Sequence, residues 1–207
     1  ALSPWIWGVL GAGYLYGLAL PQGEPRRMSI TAATGSPRSW SDLEIQVGAV
    51  PASHRSVLAG LAVTSAARTV VDLARHLGPA DAVAAADSAL RLGVTSRTET
   101  LAVIDDCASW RGIIAARAAV ERMDGRRESW LESGSTLMFA EYGLPEPEPQ
   151  VWITNSRAAP IARVDFLWNR PGVVGEADGA VKYASGDPAI LLAEKRRQER
   201  LESLGFI

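Results

Sequence analysis

The sequence of 207 residues predicts an α+β protein, on three observations. Short apolar runs bounded by turn residues occur toward both ends of the chain, as strands require. An Ala-rich stretch of good helix formers lies between them. Beyond it, the spacer LPEPEPQ at 144–150 separates a helix from three closely spaced strand-type runs. Its alternating prolines keep it extended. The expected division is a small α/β region over 1–75, a helical connector over 76–125, and an α/β domain over 126–207 whose mixed sheet is flanked by helices.

The first 23 residues carry no charge, which is the length of a membrane span. Gly8, Gly11, Gly13 and Gly17 weaken that reading, Pro4 and Pro21 bracket it, and no Lys or Arg precedes it. A buried helix is the expectation, with no membrane partner. The chain starts without methionine, so upstream sequence is expected. MSITAA at 28–33 and LEIQVGAV at 43–50 read as strands, separated by the loop TGSPRSW. Thr64 or Ser65 caps the helix ARTVVDLARHL. DAVAAADSALRL follows and stops at Gly93. Ser96 with Glu99 has capping-box spacing, and RGIIAARAAVERM is a further helix.

Ser129 and Glu132 form a second capping-box pattern, opening a helix that ends at Gly143. Strands are expected at 150–155, 161–168 and 172–178, the last two joined by the turn NRPG. Asp187 and Pro188 open a last helix that runs to Leu204, and Phe206-Ile207 reads as the start of a truncated strand.

Composition narrows the function classes. With 47% hydrophobic and 21% charged residues the chain is globular. The lone Cys107 excludes a disulfide framework and Cys-based zinc, suits a cytoplasmic location, and reads as packing. A net charge of −2 gives no global attraction to nucleic acid, so DNA contact needs a local patch. His54 and His76 share no ligand spacing and read as surface residues. No G-x-S-x-G elbow surrounds any serine. Gly11, Gly13 and Gly17 read as lacking the strand–turn–helix context of a dinucleotide loop, and the seven tryptophans as packing.

The acids of the C-terminal hairpin remain. Asp165 lies within IARVDFLW, and Glu176 and Asp178 within VVGEADGAVKY. Carboxylates in apolar strands carry a desolvation cost that a divalent cation can offset. Glu176 and Asp178 lie two apart and so share a strand face, and pairing with the Asp165 strand would bring the three to one sheet edge. Mg²⁺ or Mn²⁺ suits such oxygen donors and would activate water and neutralise a scissile phosphate. Other readings stay open: Asp165 paired with Arg163 or Arg170, Asp178 as an Asp-Gly turn residue, Glu132 as a cap, and Lys182 as a solvated loop lysine.

E-S-x-L-E-S at 128–133, R-V-D-F at 163–166, G-E-A-D-G-x-x-K-Y at 175–183 and the basic stretch EKRRQERLESLG resemble a group of actinobacterial proteins. Their C-terminal domain is similar to very-short-patch-repair endonucleases of the PD-(D/E)XK superfamily. The resemblance covers about 80 residues and implies a restriction-endonuclease-like fold. It implies Asp165 and Glu176 as metal acids and catalytic residues, Glu132 as the acid of the preceding helix, and Asp178 as a further ligand. Asp178 stands where that superfamily places lysine, and Lys182 would supply the amine from a displaced position. The N-terminal part, with YLYGLALP and LAVTSAARTVVDLAR, resembles the region following the winged helix in type IV abortive-infection antitoxin-like proteins.

Two functions follow as expectations. The first is a metal-dependent DNA endonuclease with Asp165, Glu176 and Lys182 as its machinery. Lys182, Lys195, Arg196, Arg197 and Arg200 would then grip phosphates. The second is a non-catalytic DNA-binding antitoxin or transcriptional regulator with a degenerate nuclease fold and a cognate toxin as partner. The interleaved Glu194, Glu199 and Glu202 also allow an ordinary solvated helix face.

Overall fold

Nine consecutive residues, 66–74, are buried in one helix near the middle of the chain, and the first half of the protein is arranged around it. The computed structural model describes residues 5–21, 28–177 and 188–207, without the side chains of 188–191. The architecture is α+β, and the chain forms two compact units, residues 1–130 and 131–207.

In the first unit the order is β1 (Trp5–Gly8), α1 (Val9–Tyr16), β2 (Met28–Ala32), β3 (Arg38–Ser39), β4 (Leu43–Val47), β5 (Arg55–Leu58) and β6 (Leu61–Thr64). The helices α2 (Ala66–His76), α3 (Pro79–Arg91), α4 (Arg97–Asp106) and α5 (Ile113–Glu121) follow. The strands form one mixed sheet in the order β3-β4-β2-β1-β6-β5, in which β1 pairs antiparallel with β2 and parallel with β6. α2 packs against α1, α3, α4 and α5. Its Val70, Val71 and Leu73 are deeply buried, as are Ala85, Ala86 and Ala89 of α3 and Ala116 and Ala119 of α5. Alanine lets helix axes approach closely at little entropic cost, which suits a helix enclosed on every side.

Several expectations are corrected. Residues 5–16 are not one helix: Trp5, Ile6 and Trp7 join the sheet, and an eight-residue helix begins at once after Gly8. The strand-to-helix context judged missing around the glycines therefore exists. Their need is steric, since a Cβ on Gly11 would lie 2.7 Å from the Trp7 ring and one on Gly13 would crowd Leu20 and Leu73. No helix among the described residues is long and apolar enough to cross a membrane. The helices of 76–125 pack on α2 inside the first unit.

Local signals fare better. Ser65 caps α2 by accepting from the Arg68 N–H, and Ser96 and Glu99 form a reciprocal capping box at α4. Thr64, the other candidate cap, instead hydrogen-bonds Thr69 at 2.7 Å. Glu99 accepts from the Ser96 backbone and hydroxyl and from Thr95, and these bonds hold its carboxyl below the usual range. Burial pushes the Cys107 thiol up, as a packing role requires.

The second unit contains α6 (Trp130–Glu141, which begins at the boundary), β7 (Glu148–Thr154), β8 (Pro160–Trp168), β9 (Val173–Gly175) and α7 (Pro188–Ser203). The three strands are antiparallel, in the order β7-β8-β9. Residue 207 is not part of a strand, yet its N–H donates to Gly172 O and its carbonyl accepts from Val174 N–H, the pattern of a parallel partner for β9. Phe139 of α6 meets Phe166 edge-on at 5.2 Å and Trp168 at 5.0 Å. Leu201 of α7 packs with Ile153, Ala162, Val164 and Leu167.

A buried ion pair tethers the first unit to its own C-terminal turn. Asp87 on α3 accepts from Arg127 at 3.0 Å and from the Asp124 N–H, with both side chains at most 3% exposed. Asp87→Ala is expected to cost about 3–5 kcal/mol, because a guanidinium is left buried without its carboxylate. Urea denaturation of the variant measures it. A loss under about 1 kcal/mol would show that the pair contributes little.

Candidate functional site

The alternation of β8 sets the geometry. Ala162, Val164 and Phe166 are buried, while Arg163 and Asp165 between them are half-buried. The register places Gln150 across from Asp165 on one side, between the pairs Pro149–Phe166 and Val151–Val164. On the other side Glu176 falls next to Asp165 when the β8–β9 pairing is continued one step past Phe166–Gly175. Gln150 and Asp165 thus form a cross-strand row, and Glu176 follows directly on the last paired residue of β9.

Hydrogen bonds convert the row into a cluster. The Gln150 side-chain amide donates to Glu132 Oε2 at 2.8 Å and to Asp165 Oδ1 at 3.0 Å. Asp165 Oδ2 accepts from the Ala177 N–H at 2.8 Å. Glu132, from α6, is 4% exposed. Gln150 has φ of 57°, a left-handed conformation that non-glycine residues seldom adopt, so the chain holds this side chain in place at a backbone cost.

Glu176 belongs to a second arrangement. Its carboxylate pairs with Arg197 of α7, which also pairs with Glu194 at 2.9 Å and donates to Arg163 O at 2.7 Å. Burial works against the guanidinium charge, but the two carboxylates outweigh it and push the Arg197 pKa up.

Among the predicted site residues, Asp165 and Glu132 are brought together through Gln150, while Glu176 sits beside Asp165 and bonds Arg197. Arg197 is therefore committed inside the unit, whereas Lys195, Arg196 and Arg200 are exposed on α7. Asp178 and Lys182 lie outside the described residues. Among the described residues no group of three His, Cys, Asp or Glu side chains is placed to hold a metal. Gln150 went unnoticed in the sequence. Its only signal is its place after the Pro-rich spacer, in register with Asp165.

The first unit holds a separate polar cluster. His54, expected at the surface, is 3% exposed, because the short turn Ala52–His54 is fastened to α2 by the Ser65 N–H bond to His54 O. Its Nε2 lies 3.1 Å from Asp106 and its Nδ1 3.2 Å from Arg68 Nη1. Arg68 and Arg75 share Asp72, at 2.8 and 3.0 Å, and lie over the Trp110 ring at 4.3 and 4.7 Å. A cavity of about 290 Å³ adjoins them. Arg68 and Arg75 are answered by Asp72 and His54 by Asp106, so the cluster reads as a structural tie between α2, α4 and the Trp110 loop. His76 is exposed, as expected.

Comparison with known proteins finds two related chains, the uncharacterized proteins MT2308 and Rv2248 from two strains of Mycobacterium tuberculosis. Each is 35% identical over 149 residues, which is 72% of this chain and 54% of the relative. The chain thus spans about half the length of the curated relatives it matches. No family model matches. No solved structure matches.

The Arg68 contact fixes the tautomer of His54. A guanidinium can only donate, so Nδ1 is the acceptor and Nε2 carries the proton toward Asp106. Nitrogen-15 chemical shifts of the imidazole at neutral pH are expected to show a bare Nδ1. In Arg68→Met the preference for that tautomer is expected to weaken. A protonated Nδ1 in the wild type would contradict the assignment.

Proposed function

We propose that the second unit is a nuclease-like domain that binds a hard divalent cation and acts on DNA phosphodiesters. The observation that carries this reading is the meeting of Glu132 and Asp165 on a single amide, with Glu176 directly past the end of β9. The donor set fits the group. It offers carboxylate oxygens and no sulfur or imidazole, and Mg²⁺ or Mn²⁺ is commonly held by one or two carboxylates with water completing its shell.

Glu132 and Asp165 would hold the cation. When bound, it would lower the pKa of a water and neutralise charge on the phosphate. The protein supplies the rest. Asp165 is oriented by the Ala177 N–H on one oxygen and the Gln150 amide on the other. Arg197 fixes Glu176, where that carboxylate can accept a proton or a water hydrogen bond. Lys195, Arg196 and Arg200 face solvent on α7 and would meet the DNA backbone. Asp178 and Lys182 belong to the proposal through the resemblance of their motif.

A second reading is favoured by one observation. Glu176 already has a cationic partner in Arg197, so an acid of the expected catalytic set is satisfied without a metal. On this reading the domain binds DNA without cutting it, as an antitoxin or regulator in the cytoplasm would, with a cognate toxin as partner.

Plasmid nicking in Mg²⁺ or Mn²⁺ separates the two. The nuclease reading expects metal-dependent nicking that falls in Asp165→Asn and Glu176→Ala by more than the roughly 10–100-fold typical of losing a supporting residue. Nicking that survives both substitutions sinks it. DNA retention without nicking in either metal selects the binding reading.

A further inference from the structure

The tie around Asp72 leaves positive charge over. Arg68 and Arg75 set two guanidiniums against this one carboxylate, at 2.8 and 3.0 Å. The next acid, Asp106, is paired with His54, and its side chain is 63% exposed. Both arginines are largely withdrawn from water, Arg68 at 7% exposure and the Arg75 side chain at 13%. A cation so placed attracts an anion more strongly than a solvated one does.

Donors remain to meet such an anion. Arg68 donates through Nε to Asp72 and meets His54 through Nη1, while Arg75 donates through Nε to Arg111 O and through Nη1 to Asp72. The Nη2 of each bonds no described residue. Both guanidiniums are held over the Trp110 ring, and all three side chains line the cavity of about 290 Å³. Gly8 and Val9 line it too, and α1 begins there without a capping side chain. The first N–H groups of a helix have no partner within it, and the helix dipole adds positive charge at that end. A strand that turns through glycine into a helix is a common seat for phosphate.

We propose that this cavity is an anion site that takes a phosphate group, as inorganic phosphate or a small phosphomonoester. The two Nη2 groups and the start of α1 supply donors from separate elements, which suits a tetrahedral group with several oxygens. A carboxylate, with two oxygens in one plane, would fill one fork and leave the other donors unmet. The volume is near the lower end of the roughly 300–1,000 Å³ of small-molecule sites, enough for a phosphate with a short substituent. Asp72 keeps its pairs and orients both guanidiniums. The site lies within the first unit and is independent of the metal reading of the second.

The full chain, labelled with nitrogen-15, is titrated with inorganic phosphate and in parallel with glycerol 3-phosphate, with potassium chloride at matched ionic strength as control. Saturable shifts are expected at the Trp110 indole N–H, the Arg68 and Arg75 Nε–H and the Val9 and Leu10 amides, with none from chloride. Saturation by either compound supports the site, and the tighter of the two identifies the source of the phosphate. Arg75→Gln is expected to weaken binding about tenfold, as loss of a charge-assisted bond does. Gly48 also lines the cavity, and a Cβ there meets nothing within 4 Å. Gly48→Asp is therefore expected to weaken phosphate binding and Gly48→Lys to tighten it, both variants melting near the wild-type temperature. Arginines serving the fold alone would give no such opposite response.

Shifts that stay linear to about 10 mM phosphate, or that chloride reproduces, overturn the proposal. Equal affinity in wild type, Arg75→Gln and both Gly48 variants overturns it as well. Duplex DNA that displaces phosphate from these signals would assign the cavity to a nucleic-acid surface and overturn the small-ligand reading.

Discussion

A carboxylate withdrawn from water must find a donor or a cation, and the long-range ties of this protein are answers to that requirement. Asp87 draws in the Asp124 N–H and Arg127, which are 37 and 40 residues away in sequence. Asp72 collects two arginines of its own helix and fixes them over Trp110. Asp165 and Glu132 share Gln150, and Glu176 takes Arg197. In each unit the apolar contacts supply the bulk of the core. The acids decide which segments meet, because an unanswered buried charge costs more than a misplaced methyl group.

The parts legible in the sequence were those whose physics is local. The Ser96–Glu99 box, the Ser65 cap and the 161–175 hairpin depend on residues within a few positions of one another. The alternation around Val164 and Phe166 was equally readable, because a strand imposes it residue by residue. The failures were distant. His54 read as a surface residue because nothing near it announces Arg68 or Asp106, 14 and 52 residues further on. The first 23 residues read as a buried helix because uncharged apolar composition does not separate a buried strand from a buried helix. The β1 pairings with β2 and β6 decided the matter.

Glu132 shows how a local rule can hide a tertiary role. Three residues after Ser129, it fits a capping box, and that spacing explained it without reference to the rest of the chain. In the fold it is almost fully buried and accepts from Gln150, 18 residues on. Asp165 could be suspected from its apolar surroundings. Its partner could not, since a glutamine after a run of prolines carries no chemical signature until the register sets it opposite an acid.

The two polar clusters differ in how completely charge is answered, and this bears on function. Arg68 and Arg75 both pair with Asp72, so that acid is already answered by charge and the cluster gains little from a further cation. Gln150 offers only dipoles to Asp165. A neutral amide stabilises a carboxylate without cancelling its charge, which leaves that acid responsive to a cation. Arg197 does cancel charge at Glu176, and a cation competing there would have to displace a guanidinium that also holds Glu194 and a main-chain carbonyl. On the proposed reading, cation entry therefore begins at Asp165. Glu176, held by Arg197, stays outside that first step.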